Sequence, residues 1–197
     1  MVHVTWSKRP PGWADVDRVV LWAPVEGVGA EHLTVRSTAE GVVAEGVVVG
    51  ARHGAPYGLR YRVACDALWR VREAVLSLAG EDRRLHLRAD GEGNWRDGDG
   101  QAVEALRGCV DIDISATPFT NTLPIRRLGL APSEAREILV AYVAVPALAP
   151  EPVWQRYTCL EAGRLYRYEG LFRGYVGELP VDADGLVLDY PGAFRRA

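Results

Sequence analysis

Apolar and polar residues alternate along many short stretches of this chain, and this pattern most limits the folds that it can adopt. In YGLRYRVACD (57–66) the odd-numbered residues are apolar, whereas Arg60, Arg62 and Asp66 fall among the even-numbered ones. RRLHLRAD (83–90) repeats the pattern. Because successive side chains of a strand point to opposite faces, each stretch predicts a strand with one face on a core and the other in water.

Similar stretches recur from one end of the chain to the other, separated by glycine-containing turns. Glycine occupies the turn in AEGVV, EAGRL and DADGLV, as a hairpin with positive φ requires, and DGEGNWRDGDG (90–100) is predicted to be a loop. An antiparallel sheet of so many strands must curl, split or close. Further strands are predicted at 17–23, 31–37, 41–50, 70–79, 109–115, 137–145, 153–161, 164–169, 173–181 and 186–190.

Helix signals are few. Thr117 is a suitable N-cap with Pro118 at the first helical position, although Pro124 inside the segment predicts a short, kinked or irregular helix. A second helix of one or two turns is predicted to start at Ser133, ahead of the apolar run ILVAYVAV. We therefore predict an α+β, mainly β domain over residues 1–197: a strongly curled antiparallel sheet, or half-barrel, with a few short helices in or over its concave face.

Composition narrows the class of protein. The net charge of −3 argues against a nucleic-acid-binding protein, and no apolar stretch reaches the ~18 residues of a transmembrane segment. MVHVTWSKRPPGW (1–13) does not resemble a signal peptide, which predicts a cytoplasmic protein. Cys65, Cys109 and Cys159 are widely spaced and odd in number, so we expect reduced, buried thiols.

Two carboxylates lie on one face of the strand predicted in CVDIDIS (109–115). Asp111 and Asp113 are two residues apart, which separates them by roughly 6.8 Å along a strand. Such a pair could form part of a metal site or an acid pair, but a divalent ion needs more ligands. The alternative is a polar face paired with Arg126 or Arg127.

No catalytic, metal or cofactor site is predicted from the other reactive side chains. Ser115 is not within a G-x-S-x-G motif, and the histidines (His3, His32, His53 and His86) are not at metal-ligand spacing.

The segment TPFTNTLPIRRL (117–128) is unusually rich in hydrogen-bonding groups. Its threonines and asparagine could contact a ligand, or they could satisfy backbone groups in a tight irregular segment. The predicted strands at 153–161 and 164–169 raise a similar choice. They carry Gln155, Tyr157, Tyr166 and Tyr168, which could be core residues or could line the mouth of a half-barrel.

The stretch GCVDIDISATPFTNTLPIRRL (108–128) resembles the signature of the bacterial "putative glycolipid-binding" family, formerly a domain of unknown function. Five other blocks resemble that family in the same order, so the likeness extends over about residues 30–197. They are YGLRYRVACDALW (57–69), the glycine loop ending in Asn94-Trp95, WQRYTCL (154–160), LYRYEG (165–170) and DGLVLDYPGAFRR (184–196).

The resemblance implies a half-barrel with helices in its hollow, similar to lipoprotein carriers of bacterial envelopes, that binds an amphipathic small molecule, plausibly a lipid or glycolipid. It implies no catalytic residues and no cofactor. Two alternatives stay open: an enzyme using Asp111 and Asp113 on a sugar or phosphate-bearing substrate, and a protein-interaction module. The hypothesised ligand contacts are Asp111, Asp113, Phe119, Thr120, Asn121, Arg126, Gln155, Tyr157, Tyr166 and Tyr168.

Overall fold

The computed structural model describes residues 14–52 and 54–197. The segment 1–13, on which the prediction of a cytoplasmic protein rests, therefore lies outside the described residues. The described chain contains short 3-10 helices at Glu104–Leu106 and Pro118–Asn121 and the α-helix α1 at Thr122–Leu128. None of these helices has the length and apolarity needed to cross a membrane. The strands are β1 Asp17–Pro24, β2 Ala30–Ser37, β3 Val42–Arg52, β4 Ala55–Cys65, β5 Val71–Leu78, β6 Arg84–Ala89, β7 Trp95–Asp97, β8 Asp111–Ile114, β9 Ala135–Ala144, β10 Ala149–Glu161, β11 Leu165–Gly170, β12 Tyr175–Pro180, β13 Asp189–Tyr190 and β14 Phe194–Arg196.

The strands form two sheets, neither of which closes into a barrel. The larger sheet has the order β13-β14-β1-β2-β3-β4-β5-β6-β7, and the smaller has the order β12-β11-β10-β9-β8. Neighbouring strands are antiparallel except β8 and β9, which run parallel. The mainly β, antiparallel class predicted from the sequence is therefore confirmed, with the strands divided between two sheets.

Most predicted strands are found within a few residues of their predicted bounds, whereas two short strands were missed. β7 lies inside the stretch predicted to be a loop, and β14 lies beyond the last predicted strand. Each has three residues, too few for alternation to show. Their pairing with β6 and β1 respectively is a tertiary contact.

The predicted helix at Ser133 is wrong. Ser133 has a φ of 68° in a turn, and β9 begins two residues later. The apolar run that follows is buried on both faces of the smaller sheet: Ala141 and Val143 belong to one core, and Val140 and Tyr142 to the other. A strand buried on both sides has a continuous apolar sequence rather than an alternating one.

The helical segment at 117–128 fills the space between the sheets. Thr117 caps its start as predicted, because its Oγ1 accepts a hydrogen bond from the backbone N–H of Phe119 at 3.0 Å. Phe119 and Leu123 pack into the core of the larger sheet, whereas Ile125 packs into the core on the smaller sheet. The segment therefore joins the two cores.

Three thiols belong to these cores. Cys65 and Cys109 lie in the core of the larger sheet and Cys159 in the core on the smaller one. All three are unpaired and buried, which confirms that they act as small apolar residues.

Gly46 of β3 makes room for a buried tyrosine ring. A Cβ at this position would lie 2.2 Å from Cε1 of Tyr61, which is 1% exposed. We expect Gly46→Ala to lower the free energy of unfolding by about 2 kcal/mol, because overpacking a core displaces side chains from their preferred rotamers. Urea denaturation measures this, with Gly98→Ala as the control, where the added Cβ would lie 3.4 Å from His86. Equal losses in the two variants would show that the Tyr61 ring is not held tightly against β3.

Candidate functional site

Most polar side chains of segment 117–128 form hydrogen bonds within the protein, although the buried Thr122 hydroxyl has no partner among the described residues. Asn121 donates from Nδ2 to the carbonyl of Pro118 at 3.1 Å and accepts a 2.9 Å hydrogen bond from the Tyr157 hydroxyl. Thr120 donates from Oγ1 to Asp113 at 3.2 Å. Asn121, Thr120 and Tyr157 are all buried, and their hydrogen bonds fix the segment to the smaller sheet.

The two adjacent arginines of the segment point to different partners. Arg126 is 2% exposed, donates to the carbonyls of Asp184 and Ala14 at 2.8 and 2.7 Å, and lies over the Trp69 ring at 4.3 Å. Arg127 instead forms a bidentate ion pair with Asp111, with N–O distances of 3.0 and 2.6 Å. The sequence hypothesis of a polar face paired with an arginine is confirmed for Asp111.

A cavity of about 240 Å³ opens beside the other carboxylate of that strand, Asp113. We call it the aromatic cavity, because six of its lining side chains are tyrosines or phenylalanines. Its walls come from β8, β9, β11, β12, β13 and β14, so both sheets contribute. The lining residues are Asp113, Ile114, Ser115, Thr117, Tyr142, Tyr168, Gly170, Phe172, Arg173, Tyr175, Tyr190, Ala193 and Phe194.

Two hydrogen bonds hold the Asp113 side chain in place. Gln155 donates from Nε2 to its Oδ2 at 2.6 Å, and Thr120 donates to its Oδ1. Burial raises the pKa of Asp113, although these two hydrogen bonds and the charge of Arg173 act in the opposite direction. The residue is half-buried and lines the cavity, so a fixed aspartate is available to a ligand there.

The aromatic rings form two groups of contacting rings. Tyr168 lies 5.9 Å from Tyr175 and 6.0 Å from Tyr190, measured between ring centroids. In the second group, Tyr142 lies 5.3 Å from Phe172. The guanidinium of Arg173 lies 5.0 Å from the Tyr142 centroid and donates to its hydroxyl at 3.3 Å. The cavity therefore combines apolar ring faces with a carboxyl group and a cation.

The structure brings some of the predicted site residues together and separates others. Asp113 and Tyr168 line the aromatic cavity, and Thr120 and Gln155 bind Asp113 directly. Tyr157 and Asn121 lie behind them, bonded to each other. The remaining four do not line it: Asp111, Phe119, Arg126 and Tyr166 are buried among other protein groups.

Sequence reasoning missed most of the cavity wall. Tyr142, Phe172, Arg173, Tyr175, Tyr190 and Phe194 come from five separate places in the chain. Their aromatic character was the available signal, but alternation alone assigns an aromatic residue to a core as readily as to a cavity. Only the meeting of β13 and β14 with the smaller sheet places them around Asp113.

A second cavity of about 280 Å³ adjoins the first and shares Ser115, Ala193 and Phe194 with it. Its lining residues include the buried Glu31, and we call it the Glu31 cavity. Neither cavity contains a histidine. Within residues 14–52 and 54–197, no group of three or more His, Cys, Asp or Glu side chains is arranged to hold a metal ion. His3 and His53 lie outside the described residues.

Comparisons with known proteins give the chain a family. The sequence profile of the family described as "Putative glycolipid-binding" matches residues 19–196. The crystal structure of a DUF1089 family protein from Pseudomonas aeruginosa superposes with a TM-score of 0.77 at 46% sequence identity, covering 85% of this chain and 92% of that one. No curated protein is detectably similar to the chain. This protein therefore belongs to the family described as "Putative glycolipid-binding".

Proposed function

We propose that the protein binds an amphipathic small molecule of the glycolipid class, with a sugar ring of its headgroup in the aromatic cavity. One observation carries the proposal: a fixed, partly exposed carboxyl group, Asp113, lies among six aromatic rings. A sugar ring has hydroxyl groups at its edge and apolar C–H groups on its faces. It can therefore donate to the carboxyl group while its faces contact the rings.

The size of the cavity favours a headgroup over an acyl chain. Sites for whole drug-sized ligands measure ~300–1,000 Å³, so about 240 Å³ suits part of a larger molecule. Phe172 at the rim is 38% exposed and the neighbouring Leu171 is 42% exposed. These two side chains offer apolar surface to the tail of a ligand whose headgroup is inside.

The sequence alternative of an enzyme using paired carboxylates is less well supported. Asp111 is 1% exposed and both of its oxygens are bonded by Arg127. Of the two carboxylates on this strand, Asp113 is the one that lines the aromatic cavity. A lone carboxyl group among aromatic rings is better suited to binding a hydroxylated ligand than to a two-carboxylate mechanism.

Asp113→Asn is expected to weaken binding of octyl glucoside at least about tenfold, because a hydrogen bond to a charged group contributes ~1.5–3 kcal/mol. Isothermal titration calorimetry below the micellar concentration measures the affinity. 1-Octanol, which lacks the sugar, is expected to bind wild type and variant alike. Asp99→Asn, in an exposed turn, is the matched control for removing a carboxylate.

Equal affinity of wild type and Asp113→Asn for octyl glucoside would contradict the proposal, as would equal affinity of the wild type for octyl glucoside and 1-octanol. A shift in thermal midpoint for Asp113→Asn would be measured alongside, since Gln155 and Thr120 both donate to this carboxyl group. Native mass spectrometry of protein purified without detergent, followed by solvent extraction, would identify the class of any natural ligand.

A further inference from the structure

Glu31 is a buried carboxyl group with only half of its hydrogen bonding satisfied. It lies on the inner face of β2 and is 1% exposed. Its Oε1 accepts a 2.5 Å hydrogen bond from the hydroxyl of Tyr61, which is itself buried in β4. Its Oε2 is buried and has no hydrogen-bond partner among the described residues. Such an atom is costly to leave unpaired unless a ligand supplies the missing donor.

The Glu31 cavity has room for that ligand. Its volume is about 280 Å³, and its walls include the aromatic side chains of Trp22, Tyr57 and Phe194. The β1–β2 turn forms its rim, where Val28 is 88% exposed, so the rim is in contact with solvent. The unpartnered oxygen therefore belongs to a residue that lines an accessible cavity with three aromatic side chains in its walls.

The charged side chains around the cavity do not supply a cation to Glu31. Arg52 also lines it, but donates to Ser115 Oγ at 3.1 Å and to the Val145 carbonyl at 3.3 Å. Glu26 adds a second, exposed carboxylate at the rim. Within the described part of the chain, no cation forms an ion pair with Glu31. A buried carboxylate gains most from a cation that also donates hydrogen bonds, and a cation is also attracted to aromatic faces.

We propose that the Glu31 cavity binds the primary ammonium group of an organic ligand, with one N–H donated to Oε2 of Glu31. Trp22, Tyr57 and Phe194 would surround the alkyl or ring carbons next to the nitrogen. This site is distinct from the aromatic cavity and does not depend on a sugar binding there. Because the two cavities share Phe194 and Ser115, one ligand that carries both a sugar and an amine can reach both.

The protonation of Glu31 gives the site a pH dependence. Burial raises the pKa of Glu31 to about 7, an effect larger than the opposing influence of the Tyr61 and Thr117 hydroxyls, which lower it. The phenols of Tyr57 and Tyr61 also have raised pKa values, because both are desolvated, and stay neutral in this range. An ammonium ion binds the ionised carboxylate, so its affinity should increase as the pH rises from 6 to 8.

The test compares n-hexylamine with 1-hexanol, which have the same chain and differ in the headgroup. At pH 8 an alkylamine is protonated, as lysine is with its pKa of about 10.4. By isothermal titration calorimetry we expect hexylammonium to bind the wild type at least about tenfold more tightly than 1-hexanol, an advantage of ~1.4 kcal/mol. Glu31→Gln should bind the two probes equally. It keeps an oxygen that can accept from Tyr61, and its thermal midpoint verifies folding.

Equal binding of both probes to the wild type, or a preference for hexylammonium that survives in Glu31→Gln, would overturn this proposal. A wild-type titration between pH 6 and 8 needs no variant: hexylammonium should gain affinity and 1-hexanol should not, and parallel curves would also overturn it. Asp113→Asn is the control for the other cavity and should keep the amine preference. Loss of octyl glucoside binding alone concerns the aromatic cavity, whereas loss of the amine preference alone concerns this one.

Discussion

Replacing Asp111 with Asn is expected to lower the free energy of unfolding by about 3–5 kcal/mol, because removal of one partner leaves a charge buried without compensation. Arg127 binds both oxygens of Asp111, and its side chain is only 17% exposed. Asp111 itself is 1% exposed. The pair joins β8 to helix α1, so the loss should appear in global unfolding by urea.

The double variant Asp111→Leu with Arg127→Met separates the cost of breaking the ion pair from the net contribution of the intact pair to the free energy of unfolding. Apolar replacement of both partners of a buried ion pair is often neutral, so most of the lost stability should return. Glu104→Gln is the control for an exposed pair, because Glu104 and Arg107 are 70% and 73% exposed and should contribute less than ~1 kcal/mol. A single-variant loss below that of the exposed pair would show that Arg127 finds another partner.

Relative to the wild type, Glu31→Gln is expected to gain about 3 kcal/mol in free energy of unfolding between pH 4 and pH 8. The pKa of Glu31 is about 7 in the folded protein, against an ordinary value of 4.5. Between these values the folded state holds a proton that the unfolded chain has released, so the wild type loses stability with rising pH. Above pH 7 both states are ionised and the difference between wild type and variant levels off.

Urea denaturation of both proteins at several pH values measures this difference, in which carboxyl groups common to the two proteins cancel. Glu26→Gln, at the exposed rim of the same cavity, is the matched control for removing a carboxylate. A difference between wild type and Glu31→Gln that stays constant with pH would show that the pKa of Glu31 is the same in the folded and unfolded protein, and would contradict the prediction. A bound amine in the wild type should reduce the difference, which connects this measurement to the ligand test.

The polar segment 117–128 is explained mainly by its position between the sheets. Most of its polar side chains bond to the protein itself, as Asn121 with Tyr157 and Thr120 with Asp113 show. The buried hydroxyl of Thr122 is an exception, with no hydrogen-bond partner among the described residues. A short helix placed between two cores has to pair most of its polar groups within the protein. The segment therefore positions Asp113 from behind, while the aromatic wall of the cavity comes from other strands.

The sequence predicted the strands well because alternation is a local signal. The stretch 57–66 reads as a half-buried strand, and β4 is one, with Leu59, Tyr61 and Val63 each 1% exposed. The prediction failed where burial was not one-sided, as in β9, whose apolar run lies between two cores. It also failed for the three-residue strands β7 and β14, which exist because a neighbouring strand pairs with them.

By itself the sequence determined the mainly β class and the capped helical segment after Thr117, which follow from patterns of residues close together in the chain. It also predicted buried, reduced cysteines, and it left the pairing of a strand carboxylate with Arg126 or Arg127 as one of two interpretations. Only the tertiary structure decided that Asp113 lines an aromatic cavity and that Oε2 of Glu31 has no hydrogen-bond partner among the described residues. Those outcomes depend on which strands meet across the two sheets, since the cost of burying a carboxyl group is set by its surroundings.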